Sequence, residues 1–241
     1  AAVFAELLEQ NKKALALYDK YVKTAKLSAE ESRAILISRA KIQRKQGQWD
    51  LFAATYRQLM REAKNGQDKL GYLAEMARQY ERAGKMKDRE AIVKEIRQSY
   101  DRKQKASQGL ASLYAAEGEF DALKPQREKY QAIKLRFPAE DLLYLMKRKE
   151  KALVKLASSY DSVVEFGVPE WGVAALHDKA TAYLDYVNSF RSVKLPKGLK
   201  PEEKTEVEAS LKAIEQKLVV PLENKGQEIL KLFYTSQEKN W

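Results

Sequence analysis

The sequence of 241 residues predicts an all-α fold, and three observations lead to this prediction. Apolar residues recur every three or four positions along nearly the whole chain, the pattern of helices with one buried face. Ten Gly and six Pro are few for a chain of many tight turns. No run alternates apolar and polar residues for long enough to form a strand.

The first half of the chain predicts helices joined by short turns. Residues 3–23 place apolar side chains along one helix face, and Ser28 with Glu31 forms a capping box that starts the next helix. Further breaks are predicted at Gly47, Asn65-Gly66, Gly84, residues 104–107, Gly118 and Phe137-Pro138. Connections this short make successive helices antiparallel neighbours.

The second half predicts longer helices. They cover residues 140–166, 169–193 and 201–236. Gly167 ends the first of them, residues 194–200 form the longest loop, and Pro221 predicts a kink within the last helix.

The helix pairs of the first half repeat at similar spacing. The turn glycines Gly47, Gly84 and Gly118 are separated by 37 and 34 residues. At equal offsets from these glycines stand Ala40, Ala77 and Ala111, then Gln43, Tyr80 and Tyr114, and then Trp49, Met86 and Phe120. A small residue lets two helices approach, and a large one packs between neighbouring helices.

Residues 33–138 therefore resemble the tetratricopeptide repeat, a helix-turn-helix unit of about 34 residues. The resemblance implies a right-handed α-solenoid of stacked hairpins. The match is degenerate, since the third unit has Leu123 where a small residue is expected. The alternative is that any antiparallel helical chain places Gly in its turns and Ala in its helices.

The last third carries a second resemblance, in the strings PEWGVAALHDKATAYLDYVNSF (169–190), LPKGLKPEEK (195–204) and PLENKGQEIL (221–230). They are similar to the end of large tetratricopeptide proteins of predatory and gliding deltaproteobacteria. His177 with Asp178 departs from that pattern, which expects an aromatic and a basic residue. This resemblance implies a periplasmic or cell-envelope scaffold.

Two regions follow from these resemblances. Residues 1–138 are the repeats and residues 139–241 are the closing helices, which together form one continuous solenoid.

The sequence offers little for catalysis or cofactor binding. It contains no Cys, one His and none of the common phosphate-loop, zinc or calcium motifs. His177 is interpreted as a partly buried packing residue. The carboxylate pairs Glu30-Glu31, Glu140-Asp141 and Glu202-Glu203 all fall in predicted first turns, where the helix dipole stabilises negative charge. We predict no catalytic residue, metal or cofactor; the alternative is an all-helical active site built from carboxylates distant in sequence.

The net charge of +11 is concentrated in one segment, because residues 33–105 hold 19 Lys and Arg against 9 Asp and Glu. In tetratricopeptide proteins the first helices of successive repeats line a concave groove. The corresponding positions hold Lys41, Arg44, Lys45, Arg78, Glu81 and Arg82, with Lys105 opening the third unit. The basic members predict a groove for an acidic protein segment or a C-terminal carboxylate. The alternative is a solvated surface.

The predicted function is thus a non-enzymatic scaffold or adaptor that binds an acidic partner segment within a bacterial envelope complex. Two other electrostatic functions stay open. A sequence pI near 9.5 is compatible with nucleic-acid binding, although no recognition motif is found. No transmembrane segment is predicted, but peripheral attachment to anionic lipid or wall polymer is compatible with the charge.

Overall fold

The computed structural model describes residues 2–7, 10–100 and 109–238, and all secondary structure in these ranges is helical. The predicted all-α class is therefore confirmed. The chain divides into two compact units, Ala1–Tyr114 and Ala115–Trp241. None of the described helices combines the length and the apolar composition needed to cross a bilayer.

Short helices build the N-terminal unit. They are α1 (Ala2–Leu7), α2 (Asn11–Thr24), α3 (Ala29–Lys45), α4 (Trp49–Arg61), α5 (Gly66–Arg82) and α6 (Met86–Ser99), followed by α7 (Leu110–Asp121), which contains the boundary between the units. Each helix from α1 to α5 packs on the next one in the chain, as the short turns predict.

Local signals set the ends of these helices. The Ser28 Oγ accepts a hydrogen bond from the Glu31 N–H at 3.2 Å, and the Ser28 N–H donates to Glu31 Oε2 at 2.8 Å, which confirms the capping box. Gly47 and Gly84 have φ angles of 70° and 68°, in the left-handed region that favours glycine. Asn65 caps α5 through its side chain. The turns predicted at these positions are confirmed.

The prediction of a single helix over residues 3–23 is wrong. The structure has α1 and α2 instead, and Gln10 between them has φ −78° and ψ 60°, outside the helical region. An apolar periodicity of three and four residues continues across this break, so the pattern alone does not reveal it.

The prediction of a third repeat turn at Gly118 is also wrong. Gly118 is buried inside α7, and its carbonyl oxygen accepts a hydrogen bond from the Ala122 N–H at 3.2 Å. A glycine in a helix costs only about 1 kcal/mol relative to alanine, so tertiary packing can override it. The break predicted at residues 104–107 lies outside the described residues.

Longer helices build the C-terminal unit. They are α8 (Lys124–Gln131), α9 (Ala139–Val164), α10 (Pro169–Arg191), α11 (Pro201–Ile214) and α12 (Val220–Glu238). Helix α10 packs against both α9 and α12. The core includes Leu153, Tyr160, Tyr186 and Val219, all at most 1% exposed.

The same core also takes in Leu123, next to α8, and Tyr130 on α8. These residues therefore pack with α9 and α10, whereas the sequence analysis divides the chain after residue 138. Proline 138 marks the start of a helix, but side-chain packing decides which residues share a core.

The predicted interruption near Pro221 takes the form of a π-helical turn, Glu215–Val219, between α11 and α12. Proline lacks the N–H that an α-helix needs, and its ring crowds the carbonyl four residues earlier, so a wider turn accommodates it. Arg191 of α10 secures this region: its Nε donates to Glu215 Oε1 at 2.7 Å, and its Nη2 donates to Glu223 Oε2 at 2.7 Å.

Candidate functional site

The six predicted partner-binding residues occupy two helices of the N-terminal unit, with one exception. Lys41, Arg44 and Lys45 lie on α3, and Arg78 and Arg82 lie on α5. Lys105 lies outside the described residues. Lys41, Lys45 and Arg82 are exposed, whereas Arg44 and Arg78 are half-buried.

Arg44 and Arg78 both influence one tyrosine. Both guanidinium groups act electrostatically on the hydroxyl of Tyr56, a buried residue of α4. The pKa of Tyr56 is raised to about 12, chiefly by burial and then by the carboxylate of Glu75, while the two arginines oppose this rise. Charged side chains of α3 and α5 therefore influence the same residue of α4.

Tyr72 of α5 completes this cluster. Its ring lies 6.4 Å from the Tyr56 ring, centroid to centroid, with an interplanar angle of 75°. This edge-to-face geometry is favourable for aromatic pairs. The contact joins α4 to α5 and fixes the two helices that carry Tyr56 and Arg78. We call Arg44, Tyr56, Tyr72, Glu75 and Arg78 the Tyr56 cluster.

Arg78 is not free to offer all of its donors to a ligand. Its Nη2 donates to Glu75 Oε2, and Gln79 also donates to Glu75, from Nε2 to Oε1 at 2.5 Å. The buried Nε of Arg78 has no hydrogen-bond partner in the structure. Glu75 thus neutralises part of the charge that the sequence analysis assigns to Arg78.

Two of the exposed cations, Lys45 and Arg82, are less restrained. Within the described part of the chain no ion pair is found for Lys45 or Arg82. Glu81, the acidic residue among the predicted groove positions, accepts a hydrogen bond from the Tyr114 hydroxyl at 2.7 Å and lies 3.8 Å from Arg89 Nε. Glu81 therefore holds α5 and α7 together within the N-terminal unit.

A basic cavity that the sequence does not predict lies between α4, α5 and α6. It has a volume of about 360 Å³ and is lined by Arg57, Arg61 and Lys69 together with Glu95. The Arg57 Nη1 donates to Glu95 Oε1 at 2.5 Å, so this pair ties α4 to α6. A signal was present in the sequence, since all three cations lie in the basic segment 33–105.

An apolar cavity of about 500 Å³ lies between α1, α2 and α3. Val3, Leu17, Tyr18 and Ile35 are among the residues that line it. None of the predicted partner-binding residues that the structure describes reaches this cavity. It is therefore separate from the Tyr56 cluster.

His177 is more exposed than the sequence predicts. It is predicted to be a partly buried packing residue, but 51% of its side chain is accessible. Its ring lies 5.2 Å from the Phe233 ring, and its Nδ1 is 3.3 Å from Asp178 Oδ1. Asp178 accepts a hydrogen bond from Arg127 and a long one, 3.4 Å, from the Tyr160 hydroxyl. Asp178, one of the two residues that depart from the resemblance, thus joins α8, α9 and α10.

The carboxylate pairs lie where the sequence predicts, in the first turns of α3, α9 and α11. The pKa of Glu31 is lowered by the backbone hydrogen bond from Ser28 and then by the Ser28 side chain, as expected for a capping residue. Among the described residues, no group of three or more His, Cys, Asp or Glu side chains is arranged to hold a metal ion.

The basic residues of α3 and α5 around Tyr56 are therefore the candidate site. No protein-family model, no curated protein and no solved structure matches the chain.

Proposed function

We propose that this chain is a non-enzymatic scaffold or adaptor that binds an acidic segment of a partner protein at the basic face of α3 and α5. The observation that carries this proposal is the excess of cations on α3 and α5, where the exposed Lys45 and Arg82 have no ion pair within the described residues. Arginine suits a carboxylate-rich partner because its fork of donors binds carboxylates in pairs.

The proposed architecture is a right-handed solenoid of tetratricopeptide-like hairpins. Its support is a contact between two of the repeated positions in successive hairpins: Trp49, two residues after the first turn glycine, lies 5.6 Å from Tyr80, four residues before the second. Phe52 packs against both rings, 5.5 Å from Trp49 and 5.7 Å from Tyr80. A contact that joins one hairpin to the next at repeated positions is what a stacked array requires.

The charge balance supports an acidic partner. The segment 33–105 carries a large excess of cations, and the exposed side chains of Lys45 and Arg82 have no ion pair within the described ranges. A partner that supplies carboxylates would neutralise them and would associate faster at low ionic strength. Arg78 contributes less, because Glu75 already binds it.

The proposed location is the bacterial periplasm or cell envelope. This part of the proposal depends only on the resemblance of residues 169–230 to envelope proteins. Fractionation of the source cells with an antibody against the chain tests it, and recovery in the cytoplasmic fraction alone would contradict it.

The binding proposal is tested with a fluorescent oligoglutamate peptide and a triple variant, Lys41→Glu, Lys45→Glu and Arg82→Glu. All three residues are exposed, so the helices should stay folded. We expect affinity to fall by at least about tenfold, since each reversal replaces attraction by repulsion.

The matched control carries Lys197→Glu, Lys212→Glu and Lys217→Glu, three exposed positions of the C-terminal unit. It changes the net charge by the same amount and should bind like the wild type. Equal losses in both variants would show that overall charge, and not the face of α3 and α5, governs binding. Tight, steeply salt-dependent binding to arbitrary duplex DNA would favour the nucleic-acid alternative.

A further inference from the structure

A small cavity of about 330 Å³ opens on the C-terminal unit, between the end of α8, the segment 132–138 and α9. Four cationic residues line it: Lys129, Lys134, Arg136 and Arg148. The rest of the lining is apolar and consists of Ala132, Ile133 and Leu145. No carboxylate is among the described residues that line it. We call this the α8–α9 pocket.

The four cations of the α8–α9 pocket are not neutralised. All four are exposed, and within the described residues none of their side chains forms an ion pair or a hydrogen bond. Four like charges around one small cavity repel each other; water and salt screen this repulsion in part, and a bound anion would relieve it further. The pocket is therefore built to favour an anionic ligand.

The surrounding sequence is also basic. Residues 124–155 hold ten Lys and Arg against four Asp and Glu. Lys147, Lys151 and Lys155 are exposed along α9, on the same helix as Arg148. The C-terminal unit therefore has a strong local excess of positive charge, although residues outside 33–105 are nearly neutral when counted together.

A buried lysine holds the wall of the pocket in place. Lys149 is 1% exposed, and its Nζ donates to the Ile133 carbonyl oxygen at 3.2 Å. The same Nζ lies 2.9 Å from Asp185 Oδ2, an ion-pair contact without hydrogen-bond alignment, and 4.3 Å from the centre of the Tyr130 ring. The Tyr130 hydroxyl donates to the Ala182 carbonyl oxygen at 2.7 Å. These contacts fasten Tyr130, near the end of α8, and the backbone of Ile133 to the core.

We propose that the α8–α9 pocket binds a phosphate group. Its volume is at the low end of the range of about 300–1,000 Å³ that is common for ligand sites, so it suits a compact anion. A phosphate carries more than one negative charge and several acceptor oxygens, which matches two arginine forks and two lysines. A single carboxylate would leave most of the four cations without a partner.

The phosphate has two possible sources, a soluble phosphate compound or the headgroup of an anionic lipid. Tyr144, 64% exposed, stands one helical turn before Arg148 on α9. An exposed aromatic residue beside basic residues is compatible with the interface of a bilayer. The experiment therefore has one arm for each source.

The first arm measures binding of inorganic pyrophosphate to the full chain by isothermal titration calorimetry. We expect saturable binding that weakens at least about tenfold in the double variant Arg136→Gln and Arg148→Gln. The control, Lys212→Gln and Lys217→Gln, removes the same charge from the same unit and should bind like the wild type. No binding to the wild type in either arm, or equal loss in both variants, overturns the proposal.

The second arm measures co-sedimentation with phosphatidylcholine vesicles that contain or lack phosphatidylglycerol. Binding that needs phosphatidylglycerol and is lost in the pocket variant supports the proposal and identifies a lipid headgroup as the source. Binding of pyrophosphate alone supports it with a soluble source. Binding of oligoglutamate at the pocket without binding of either phosphate probe overturns it.

Two controls keep the result interpretable. Circular dichroism checks that the pocket variant is folded, and the single variant Lys134→Gln provides a second test if it is not. The variant Lys41→Glu, Lys45→Glu and Arg82→Glu should keep its affinity for pyrophosphate. The phosphate proposal can therefore be refuted while the peptide-binding proposal stands, and the peptide-binding proposal can be refuted while the phosphate proposal stands.

Discussion

Gly226 lets α12 approach α10 closely. A Cβ atom at this position would lie 3.0 Å from the Tyr183 Cβ and 3.3 Å from the Leu184 Cδ2. Carbon atoms prefer separations of about 3.5–4.0 Å. The Tyr183 Cβ is attached directly to the backbone, so it cannot rotate away. Gly226→Ala therefore requires α12 and α10 to separate by roughly half an ångström.

The magnitude follows from two opposing effects. Alanine favours a helix over glycine by about 1 kcal/mol, whereas overpacking of a core costs about 1–3 kcal/mol. Gly71, in the interior of α5, has no atom within 4 Å of the position that its Cβ would take. Gly71→Ala should therefore stabilise the protein, by about 0.5–1 kcal/mol. Since the helix preference is common to both, we expect Gly226→Ala to be less favourable than Gly71→Ala by about 1–3 kcal/mol.

The assay is urea unfolding followed by far-ultraviolet circular dichroism, with native-state hydrogen exchange to assign each change to its unit. The free energy of unfolding of each variant is compared with that of the wild-type protein. Equal stabilisation by both substitutions would refute the reasoning, because it would mean that the contact between α12 and Tyr183 is not tight.

Two more predictions concern buried polar groups. Lys149→Met should lower the free energy of unfolding by about 1–3 kcal/mol, because it removes a charged hydrogen bond while Asp185, 42% exposed, can regain water; unchanged urea unfolding would contradict it. Burial raises the pKa values of Tyr56, Tyr160 and Tyr186 to about 12, so their phenols should ionise later than ordinary tyrosines in an ultraviolet titration. Above pH ~10 the unfolded chain loses these protons and the folded chain keeps them, so stability should fall as the pH rises towards 12. Ionisation of all phenols near pH ~10 in the folded protein would show that these three are not buried.

Helix ends with a local cause were predictable from the sequence. Ser28 with Glu31, Gly47, Gly84 and Pro169 all act within one turn of the chain, and the structure places each at a helix end. The turn predicted at Gly118 is wrong because a glycine only weakens a helix, and the packing around it decides whether the helix continues.

For the candidate site, spacing predicts which helices carry Arg44 and Arg78, because it depends only on helix geometry. The neutralising contact of Glu75 with Arg78 depends on side-chain conformation. The net charge of a long segment does not reveal the α8–α9 pocket, because acidic residues elsewhere in the C-terminal unit balance the basic stretch 124–155.

The π-helical turn Glu215–Val219 acts as a one-residue insertion in the helical register. Each residue of an α-helix advances the side-chain direction by about 100°, so the turn rotates the faces of α12 relative to those of α11. Helix α11 buries none of its residues, whereas α12 packs against α10. Removing one residue from the turn would restore a continuous α-helix but direct Ile229 away from the core that now buries it. The phase of α12 is thus encoded by the length of this turn and not by the composition of α12 alone.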